Sequence, residues 1–583
     1  MATILFGREH RWLRLSVVLV GGFLLWGAGG CGDNVSLRDD GGLDSGASTD
    51  AALTRDARPS VDGGLPPGMG RLAVTTLEQG QPVPSRVIVT AVPPTAEVRF
   101  DVHPETGQPA NGRDGVWLGE DVVGLPDGFY VVRGVGQVEV PHGTYRLFIT
   151  RGPEYEAVSM DVEVAEGDTT PVDAQLVRTV DTRGWVGVDT HVHSVRSPDS
   201  ELGLPARVVS EVAAGVSVIV ATDHNIITDL QPVVEALGYA QRALAVVGDE
   251  FNFTQGHGGA FALPYFAEDE DGGAARLGLD TATAQATSLA AMSARIKALP
   301  TAPLVSINHP RMGGGLGYFN NLTEFGPDGW LPPRPLPTAH LFDALEVING
   351  YMRSLQWVEM LLRDWFFLLG SGHRVAALAG SDSHSLVQNT AGYGRTWVRV
   401  PTDSVAALTP GDIVQAIREC RTVVSTAPFA RLIVDGKEPG ETVVAAGGSL
   451  HVDLTVDAPS WVSLDVVQLY VNGVKVREFQ VTGAARPRFR TITSVVAPSE
   501  DGYVVAVAAG KTALPVNIVG FEEAGKVMPV VVTGPVFLDA DADGRWAPPL
   551  SHADPGPIEI FPGLFGPRPS FPVKDGLPDG EGP

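Results

Sequence analysis

The sequence predicts an α/β protein whose central domain is flanked by two β-rich segments. Between about residues 183 and 425, short continuous apolar runs alternate with helical patterns such as PARVVSEVAAG and RSLQWVEMLLRDWFFLL. This texture is typical of a parallel sheet covered on both sides. In segments 71–180 and 430–545, apolar and polar residues alternate instead. A period of two with Gly and Pro turns predicts antiparallel, sandwich-like β-domains.

The first 31 residues predict an export signal. Arg8, Arg11 and Arg14 precede the apolar segment VVLVGGFLLWGAGG, which is too short and too glycine-rich for a comfortable membrane span. The segment ends in AGGC, which resembles the lipobox of bacterial lipoproteins and predicts lipidation of Cys31, although Ala28 stands where leucine is usual. The alternative is an ordinary cleaved signal peptide with an incidental cysteine.

Cysteine content and charge agree with an exported protein. The chain has only two cysteines, Cys31 and Cys420, so no disulfide framework is expected, and yet one cysteine stands at the lipobox position. Gly32 after Cys31 resembles the sorting pattern for the outer membrane, which predicts a lipid-anchored protein there, in the periplasm or at the cell surface. The formal net charge of -26 argues against a nucleic-acid partner.

The remaining segments have distinct textures. Residues 32–70 are rich in Asp, Gly and Ser and are expected to form a flexible tether, and the Pro- and Gly-rich residues 546–583 an irregular tail. Asn472-Gly473 predicts a hairpin turn. The stretch DADADG, 539–544, begins like a calcium loop, but Leu550 stands where the closing acid belongs. A polar turn is the favoured interpretation, and a partial calcium site with ligands from elsewhere is the alternative.

Ionisable residues collect where the apolar runs of the central segment end. In chain order these runs lead to, or carry, His191 and His193, Asp223 and His224, Asp249 and Glu250 with His257 beyond, His309, Glu346 with Asn349, and Asp382 with His384. In parallel α/β folds the functional site lies at the C-terminal ends of the strands, because the strand-to-helix loops converge there. Since residues two apart on a strand point to one side, His191 and His193 are expected to face the same way.

This mixture of side chains indicates a metal site. Six histidines and several carboxylates exceed the needs of one tetrahedral zinc ion, so two or three ions bridged by a carboxylate are expected. Imidazole and carboxylate ligands suit zinc, iron or manganese, and the sequence does not choose among them. The chemistry that such a site indicates is hydrolysis.

The motif order resembles that of the PHP (polymerase and histidinol phosphatase) metallohydrolases. The motifs are H-x-H, TDHN, an E followed by GH, NHP and GSDSH, while RGPEY and GYGRTWV are similar to the branch that includes carbaryl-hydrolase-like enzymes. The resemblance covers residues 183–425 and is looser for the flanking β-domains. It implies a distorted (β/α)7 barrel for the central segment.

The resemblance also implies a ligand set in three parts. The first ion would be surrounded by His191, His193, Glu250 and Asp382. A second ion would share Glu250 and be held by His257 and His309. Asp199, His224 and His384 match a third site, but Asp199 stands where some relatives have His, so two or three ions are expected. Glu250, Asp382 and His224 are the predicted catalytic residues.

Further acids are interpreted as support for these ligands. Asp189 and Asp223 are expected to orient histidine rings from an outer shell. Glu346 has either the same role or a purely structural one. Arg196, Arg311 and Arg395 are interpreted as loop or surface arginines, with contact to an anionic substrate as the alternative.

These expectations combine into a lipid-anchored, exported hydrolase with divalent metal ions. Its substrate would be a small molecule with a phosphoester, carboxylic ester or carbamate bond. The alternative is a non-catalytic surface lipoprotein that uses the barrel as a scaffold and the β-domains to contact glycans or proteins. A proofreading exonuclease role, known among relatives, conflicts with export and with the acidic charge.

Overall fold

The computed structural model describes residues 64–93, 98–103, 106–313, 315–321, 339–351, 353–445, 447–483, 486–520, 527–552 and 555–562. The chain divides into two units, Met1–Asp50 and Ala51–Pro583, and all described residues lie in the second. The predicted signal peptide, Cys31, most of the tether and most of the tail lie outside the described residues and stay predictions. Among the described helices, none is both long and apolar enough to cross a membrane.

The first nine strands form two sheets over one hydrophobic core. They are β1 (Met69–Glu78), β2 (Gln81–Pro82), β3 (Ser85–Val92), β4 (Val122–Leu125), β5 (Gly128–Val131), β6 (Val135–Pro141), β7 (Gly143–Thr150), β8 (Val158–Val164) and β9 (Thr169–Gln175). One sheet has the order β2-β1-β6 with β9 also on β1, and the other has the order β4-β5-β3-β7-β8. Leu72, Phe129 and Leu147 lie in the core between them. Every second residue of β1 is buried, as the alternating sequence predicts.

The central segment contains strands and mostly short helices. They are β10 (Trp185–Val192), α1 (Leu204–Ala213), β11 (Val218–Ala221), α2 (Gln231–Ala236), β12 (Leu244–Val246), β13 (Gly248–Phe253), β14 (Gly256–Phe261), α3 (Ala274–Leu277), α4 (Thr281–Gln285), α5 (Leu289–Lys297), β15 (Leu304–Ile307), α6 (Tyr318–Asn321), β16 (Ala344–Asn349), α7 (Leu355–Gly370), β17 (Ala376–Gly380), β18 (Arg395–Arg399) and α8 (Pro410–Arg418). Single 3₁₀ turns occur at Ala339–Leu341 and Val405–Ala407.

The prediction of an α/β fold with a distorted (β/α)7 barrel is wrong. Strands are the main element among the residues that the structure describes, with 37% of them in strands and 16% in helices. The central strands belong to two sheets, and β14 is antiparallel to both β13 and β15, while β18 is antiparallel to β10. A (β/α)8-type barrel instead needs parallel strands, each followed by a helix. Continuous apolar runs indicate burial on both faces, but they do not specify the direction of a strand, and this misled the prediction.

The C-terminal segment continues the larger central sheet. Its elements are β19 (Thr422–Ser425), β20 (Phe429–Val434), β21 (Thr442–Val444), β22 (Ser449–Asp457), β23 (Val466–Val471), β24 (Val474–Gln480), β25 (Phe489–Val496), β26 (Gly502–Ala509), α9 (Val516–Val519), β27 (Val530–Thr533) and β28 (Val536–Asp539), with a 3₁₀ turn at Leu550–His552. An 11-stranded sheet runs β12-β11-β10-β18-β19-β27-β26-β23-β24, with β28 paired to β26 and β21 paired to β28. The separate sheet β13-β14-β15-β16-β17 and the three-stranded sheet β20-β22-β25 complete the arrangement.

Several local predictions are confirmed. Helices α1 and α7 form where the quoted helical patterns lie. Asn472 and Gly473 join β23 to β24 with φ angles of 50° and 74°, the two positive values that a type I′ hairpin turn requires. Cys420 is buried, and burial raises the pKa of its thiol to about 12, which is typical of an unreactive cysteine.

Candidate metal centre

The predicted ligands lie where the two central sheets meet. Parallel bridges join Val192 to Ser383 and His224 to Glu250, so the ends of strands from both sheets adjoin. All eight residues of β10 are buried, which places His191 in the interior rather than at the surface. Burial of an imidazole is costly unless its nitrogens have partners. The partners therefore decide what this cluster can do.

Glu250 is the centre of the cluster. Its Oε2 lies 3.1 Å from Nε2 of His191, 3.4 Å from Nε2 of His193 and 3.3 Å from Nε2 of His224. Its Oε1 lies 3.0 Å from Nε2 of His309 and 3.4 Å from Nδ1 of His257. One carboxylate thus faces five histidines that come from four separate segments of the chain.

The other ligand candidates complete overlapping groups around Glu250. In each group, one possible ligand atom per residue lies within 4.8 Å of the others. The three groups of three are His191/His193/Asp382, His191/Glu250/His309 and His224/Glu250/His257, and the group of four is His193/Asp199/His224/His384. All nine residues that the sequence predicts as ligands are present in these groups. The grouping differs slightly from the expected one, because His193 also belongs with the third set and His224 also adjoins Glu250.

The donor set fits divalent cations. Nitrogen ligands of zinc lie 2.0–2.1 Å from the ion, which puts neighbouring ligand atoms about 3.3 Å apart in a tetrahedral shell. The Nε2 atoms of His191 and His193 are 3.1 Å apart, which is close to that spacing. Nδ1 of His257 is buried 3.4 Å from Glu250 and makes no hydrogen bond within the described part of the chain. Ions between these atoms would satisfy both features.

Outer contacts fix which ring nitrogens face the centre. Glu346 Oε1 lies 2.8 Å from Nδ1 of His191, so that nitrogen donates its hydrogen outward and Nε2 is the nitrogen that faces Glu250. In the same way Nδ1 of His384 lies 3.0 Å from the carbonyl oxygen of Asp382. Nδ1 of His193 lies 3.1 Å from Oγ of Ser197. Such outward hydrogen bonds are characteristic of metal-binding imidazoles.

Charge attraction within the cluster favours protonated histidines and ionised carboxylates. Burial opposes protonation of His191, but the carboxylates of Asp382, Glu250 and Glu346 outweigh it and raise the pKa of His191 well above its usual range. Conversely, burial would raise the pKa of Glu250, but the facing histidines lower it well below its usual range. The pKa of Asp382 is lowered for the same reason.

His224 and His257 both face Glu250, but their pKa values are shifted in opposite directions. Burial lowers the pKa of His224, but Glu250 and Asp199 more than compensate and raise it to about 9. At His257 burial prevails over the attraction of Glu250, and the pKa falls to about 4. Without a bound ion, His257 is therefore a neutral imidazole at neutral pH, whereas His224 holds a proton that an ion bound at its Nε2 would have to displace.

Two of the ligand candidates have strained backbones. His309 and Asp382 have φ angles of 27° and 51°, values that non-glycine residues rarely adopt. Each such residue costs on the order of 1–3 kcal/mol and persists only where its surroundings hold it. The amide of His309 donates to Glu346 Oε2 at 2.6 Å, and the amide of Asp382 donates to the carbonyl of His191 at 2.8 Å. The strain is thus held by the cluster itself.

Asp189 and Asp223 support the backbone instead of the histidine rings. Asp189 Oδ1 accepts the amides of His191 at 3.2 Å and Ser381 at 2.9 Å, which joins the ends of β10 and β17. Asp223 Oδ1 accepts the amide of Ser194 at 2.6 Å. The expected contact of these two acids with imidazole nitrogens is absent from the described contacts, and Glu346 is the acid that holds a ring.

Two supporting residues escape the sequence patterns. Arg207 of α1 is fully buried and donates to the carbonyl of His193 at 2.9 Å and that of Ser383 at 2.8 Å, so it ties two ligand-bearing segments together. Its only sequence signal is a charge on the apolar side of an amphipathic helix. Ser197 Oγ donates to Asp199 Oδ1 at 2.7 Å and lies beside His193, and a serine in a polar turn carries no comparable signal.

The three arginines considered as substrate contacts have other partners. Arg311 is buried and makes a bidentate ion pair with Asp364, at 2.6 and 2.7 Å. Arg395 is also buried and donates to the carbonyls of Gly392 and Ala214 at 2.7 Å each. Arg196 donates to the carbonyl of Glu270. The interpretation of Arg311 and Arg395 as surface arginines is therefore wrong, because their charges are satisfied inside the protein.

The cluster opens on one side. The side chains of Asp199 and His384 are 22% and 13% exposed, whereas those of His191, His193 and Glu250 are at most 1% exposed. Asp199 Oδ2 lies 3.0 Å from Nε2 of His384 and 3.3 Å from Nε2 of His224. A ligand that approaches from solvent therefore meets Asp199 and His384 first.

Comparisons with known proteins add little to this geometry. No protein-family model matches the chain, and no curated protein is similar to it. A streptococcal ancillary pilin structure has 12% identity and a TM-score of 0.13, over 21% of this chain and 36% of the pilin. The β-glucuronidase of Parabacteroides merdae, including its structure with glycerol in the active site, has 11% identity and a TM-score of 0.17, over 79% of this chain and 60% of that enzyme. The chain thus spans less than two thirds of these proteins, and similarity this weak carries no argument about fold or function.

Proposed function

We propose that the chain is a metal-dependent hydrolase that cleaves an ester-type bond, either a phosphoester or a carboxylic or carbamate ester. The observation that carries the proposal is the position of Glu250, whose two oxygens lie 3.0–3.4 Å from ring nitrogens of five histidines. A carboxylate with both oxygens facing imidazoles is suited to bridge two ions. The order of the motifs, which resembles that of PHP metallohydrolases, supports hydrolysis as the reaction.

Within this proposal the residues divide into an inner and an outer part. His191, His193 and Asp382 would hold one ion, and His257 and His309 a second, with Glu250 between them. Glu346 fixes the ring of His191, and its other oxygen fixes the backbone of His309. One acid on the outside thus positions a ligand of each ion.

The open side determines where the reaction would occur. When bound, divalent ions in such a site lower the pKa of water toward neutrality and stabilise negative charge on the substrate oxygen. Asp199 stays ionised at neutral pH, because the hydrogen bonds and charges of His224 and His384 lower its pKa against the effect of burial. In a site with two ions, His224 would hold a proton at Nε2 beside Asp199; in a site with three, Nε2 would be a ligand.

The proposal is tested on the full chain, purified in detergent, by elemental analysis and a panel of chromogenic phosphate and carboxylic esters. We expect about two or three equivalents of a divalent transition metal and turnover of at least one ester class. Asp382→Ala and the double variant His191→Ala/His193→Ala are expected to lose metal and at least about 100-fold in activity, beyond the 10–100-fold typical of outer-shell changes.

Matched controls separate loss of ligands from general damage. His340→Ala removes an exposed histidine outside the cluster, and Asp173→Asn removes an exposed carboxylate on β9. Both variants are expected to keep metal and activity. Retention of metal and activity in Asp382→Ala would contradict the proposed centre. Tight metal binding without turnover of any ester would instead favour a surface protein that binds without catalysis.

A further inference from the structure

A second cluster of carboxylates lies in the C-terminal segment. Its loop, DADADG, follows β28 and contains Asp539, Asp541 and Asp543. Asp501 comes from elsewhere in the chain, directly before β26. One oxygen each of Asp501, Asp539 and Asp541 lies within 4.8 Å of the others.

Strand pairing forces two of these carboxylates together. Strands β26 and β28 are antiparallel, with Gly502 opposite Leu538, so Asp501 and Asp539 adjoin at the end of the ladder. Like charges directly opposite each other destabilise a strand pair. In the described part of the chain, neither carboxylate has a lysine, arginine or histidine nitrogen within 4.0 Å. Among the residues that the structure describes, no basic side chain therefore neutralises this pair.

Asp539 adds an independent sign of a missing partner. The residue is 2% exposed, and its Oδ2 accepts the amide of Gly544 at 2.9 Å. Its Oδ1 is buried and makes no hydrogen bond within the described part of the chain. A buried carboxylate oxygen without a donor is costly, and a bound cation would remove that cost.

The loop has a shape that suits a cation. Gly544 occupies the sixth position of the D-x-D-x-D-G pattern with a φ of 80°, as the sharp turn of a calcium loop requires. Backbone amides also fix the position of the Asp501 carboxylate, which accepts the amides of Ala540 at 2.7 Å and Ala547 at 2.6 Å. Each oxygen keeps a second lone pair for a ligand bond.

We propose that Asp501, Asp539 and Asp541 form a calcium site that is distinct from the histidine-rich centre. The ligands are all oxygens, which selects a hard cation over zinc, iron or copper. Calcium takes 6–8 oxygen ligands in flexible geometry, so main-chain carbonyls and water would complete the shell. Asp501, which directly precedes β26, takes the place of the closing acid that the loop lacks at Leu550. The site fastens the end of β28 to the start of β26.

The experiment uses the full chain and two probes, Ca²⁺ by calorimetry and Tb³⁺ by luminescence. Trp546 lies two residues beyond Gly544 and donates to the carbonyl of Gly502 at 2.6 Å, so it is placed to sensitise Tb³⁺ in the loop. We expect one equivalent of Ca²⁺, with a Kd of about 10⁻³ M or tighter, and Tb³⁺ emission that Ca²⁺ displaces and Trp546→Phe abolishes.

Variants decide whether the loop is the site. Asp541→Asn changes an exposed carboxylate and is not expected to impair folding, whereas Asp539→Asn changes a buried one. Both are expected to weaken Ca²⁺ binding at least tenfold, and Asp173→Asn to leave it unchanged. Binding that survives in Asp541→Asn, or that disappears only in the His191→Ala/His193→Ala variant, would overturn the proposal. Because the readout is Ca²⁺ binding, it does not depend on whether the protein is a hydrolase.

Discussion

At the level of single residues, Glu346 shows how one outer carboxylate positions ligands from two segments. Its Oε1 accepts from the ring of His191, and its Oε2 accepts from the amide of His309 at 2.6 Å and from Asn349 Nδ2 at 3.0 Å. Each of these atoms is a donor, so only a carboxylate, with acceptors on both oxygens, satisfies all three. The sequence alone leaves open whether Glu346 is purely structural or positions a ligand, because no local pattern connects it to His191, 155 positions away.

Replacing Glu346 by Gln tests this role. The amide nitrogen of Gln would face at least one donor, so the ring of His191 or the backbone of His309 would lose its support. We expect metal affinity to fall about 10–100-fold, as is typical of such outer partners, with the fold retained. Competition with a chromophoric chelator measures the affinity, and circular dichroism checks the fold. Glu163→Gln, an exposed change on β8, is the control, and equal affinities in the two variants would argue against a positioning role.

At the level of elements, the hairpin β23–β24 depends on a glycine that must also leave space. Gly473 has a φ of 74°, and a Cβ atom there would lie 2.4 Å from Cβ of Pro555. Gly436 has a nearly equal φ of 77°, but nothing lies within 4 Å of the Cβ it would gain. The two positions therefore share a left-handed backbone conformation that disfavours other residues, and they differ in packing.

A pair of alanine substitutions separates the two effects. Gly436→Ala is expected to lower the free energy of unfolding by about 1 kcal/mol through the unfavourable φ alone. Gly473→Ala adds a steric clash with Pro555 and is expected to cost at least about 1 kcal/mol more. Denaturant unfolding of both variants measures the difference. Equal stabilities would show that the chain near Pro555 moves away without cost.

The elements also show why local structure is predicted correctly from the sequence and strand direction is not. Helices α1 and α7 and the Asn472-Gly473 turn follow from residues that adjoin in the sequence, and they form as predicted. The direction of β14 does not follow from such residues. It depends on a short turn after β13 and on pairing with β15, which begins more than 40 residues later in the chain. The barrel prediction failed at this point.

At the level of the whole molecule, the histidine-rich centre connects the two central sheets. Glu250 belongs to β13 of the smaller sheet, whereas His191 belongs to β10 of the larger one. An ion bound between them would stabilise the native state, because the unfolded chain does not hold these ligands together. Metal loading is therefore expected to raise the temperature of unfolding.

That stabilisation is expected to grow with pH. The pKa of His224 in the metal-free protein is raised to about 9, so below that value a proton competes with an ion that has Nε2 of His224 as a ligand, as in a three-ion site. The attraction between protonated His224 and its carboxylates stabilises the metal-free protein fully below pH 6.5 and is lost as pH rises through about 9. Both effects are expected to increase the difference in unfolding temperature between metal-loaded and chelator-treated protein from pH 6 to pH 8. Calorimetric unfolding at both pH values measures this difference, and a difference that becomes smaller would contradict the role of His224 as a metal ligand.

The chemistry and order of the candidate ligands are readable from the sequence, because residue types and strand-end positions are local properties. His191, His193, Glu250, Asp382 and the other predicted ligands all come together in the structure. Which histidine faces which oxygen of Glu250, the hold of Glu346 on His191, and the meeting of Asp501 with Asp539 were decided only in three dimensions. These features depend on sheet topology and register, which arise from pairing between residues far apart in the chain.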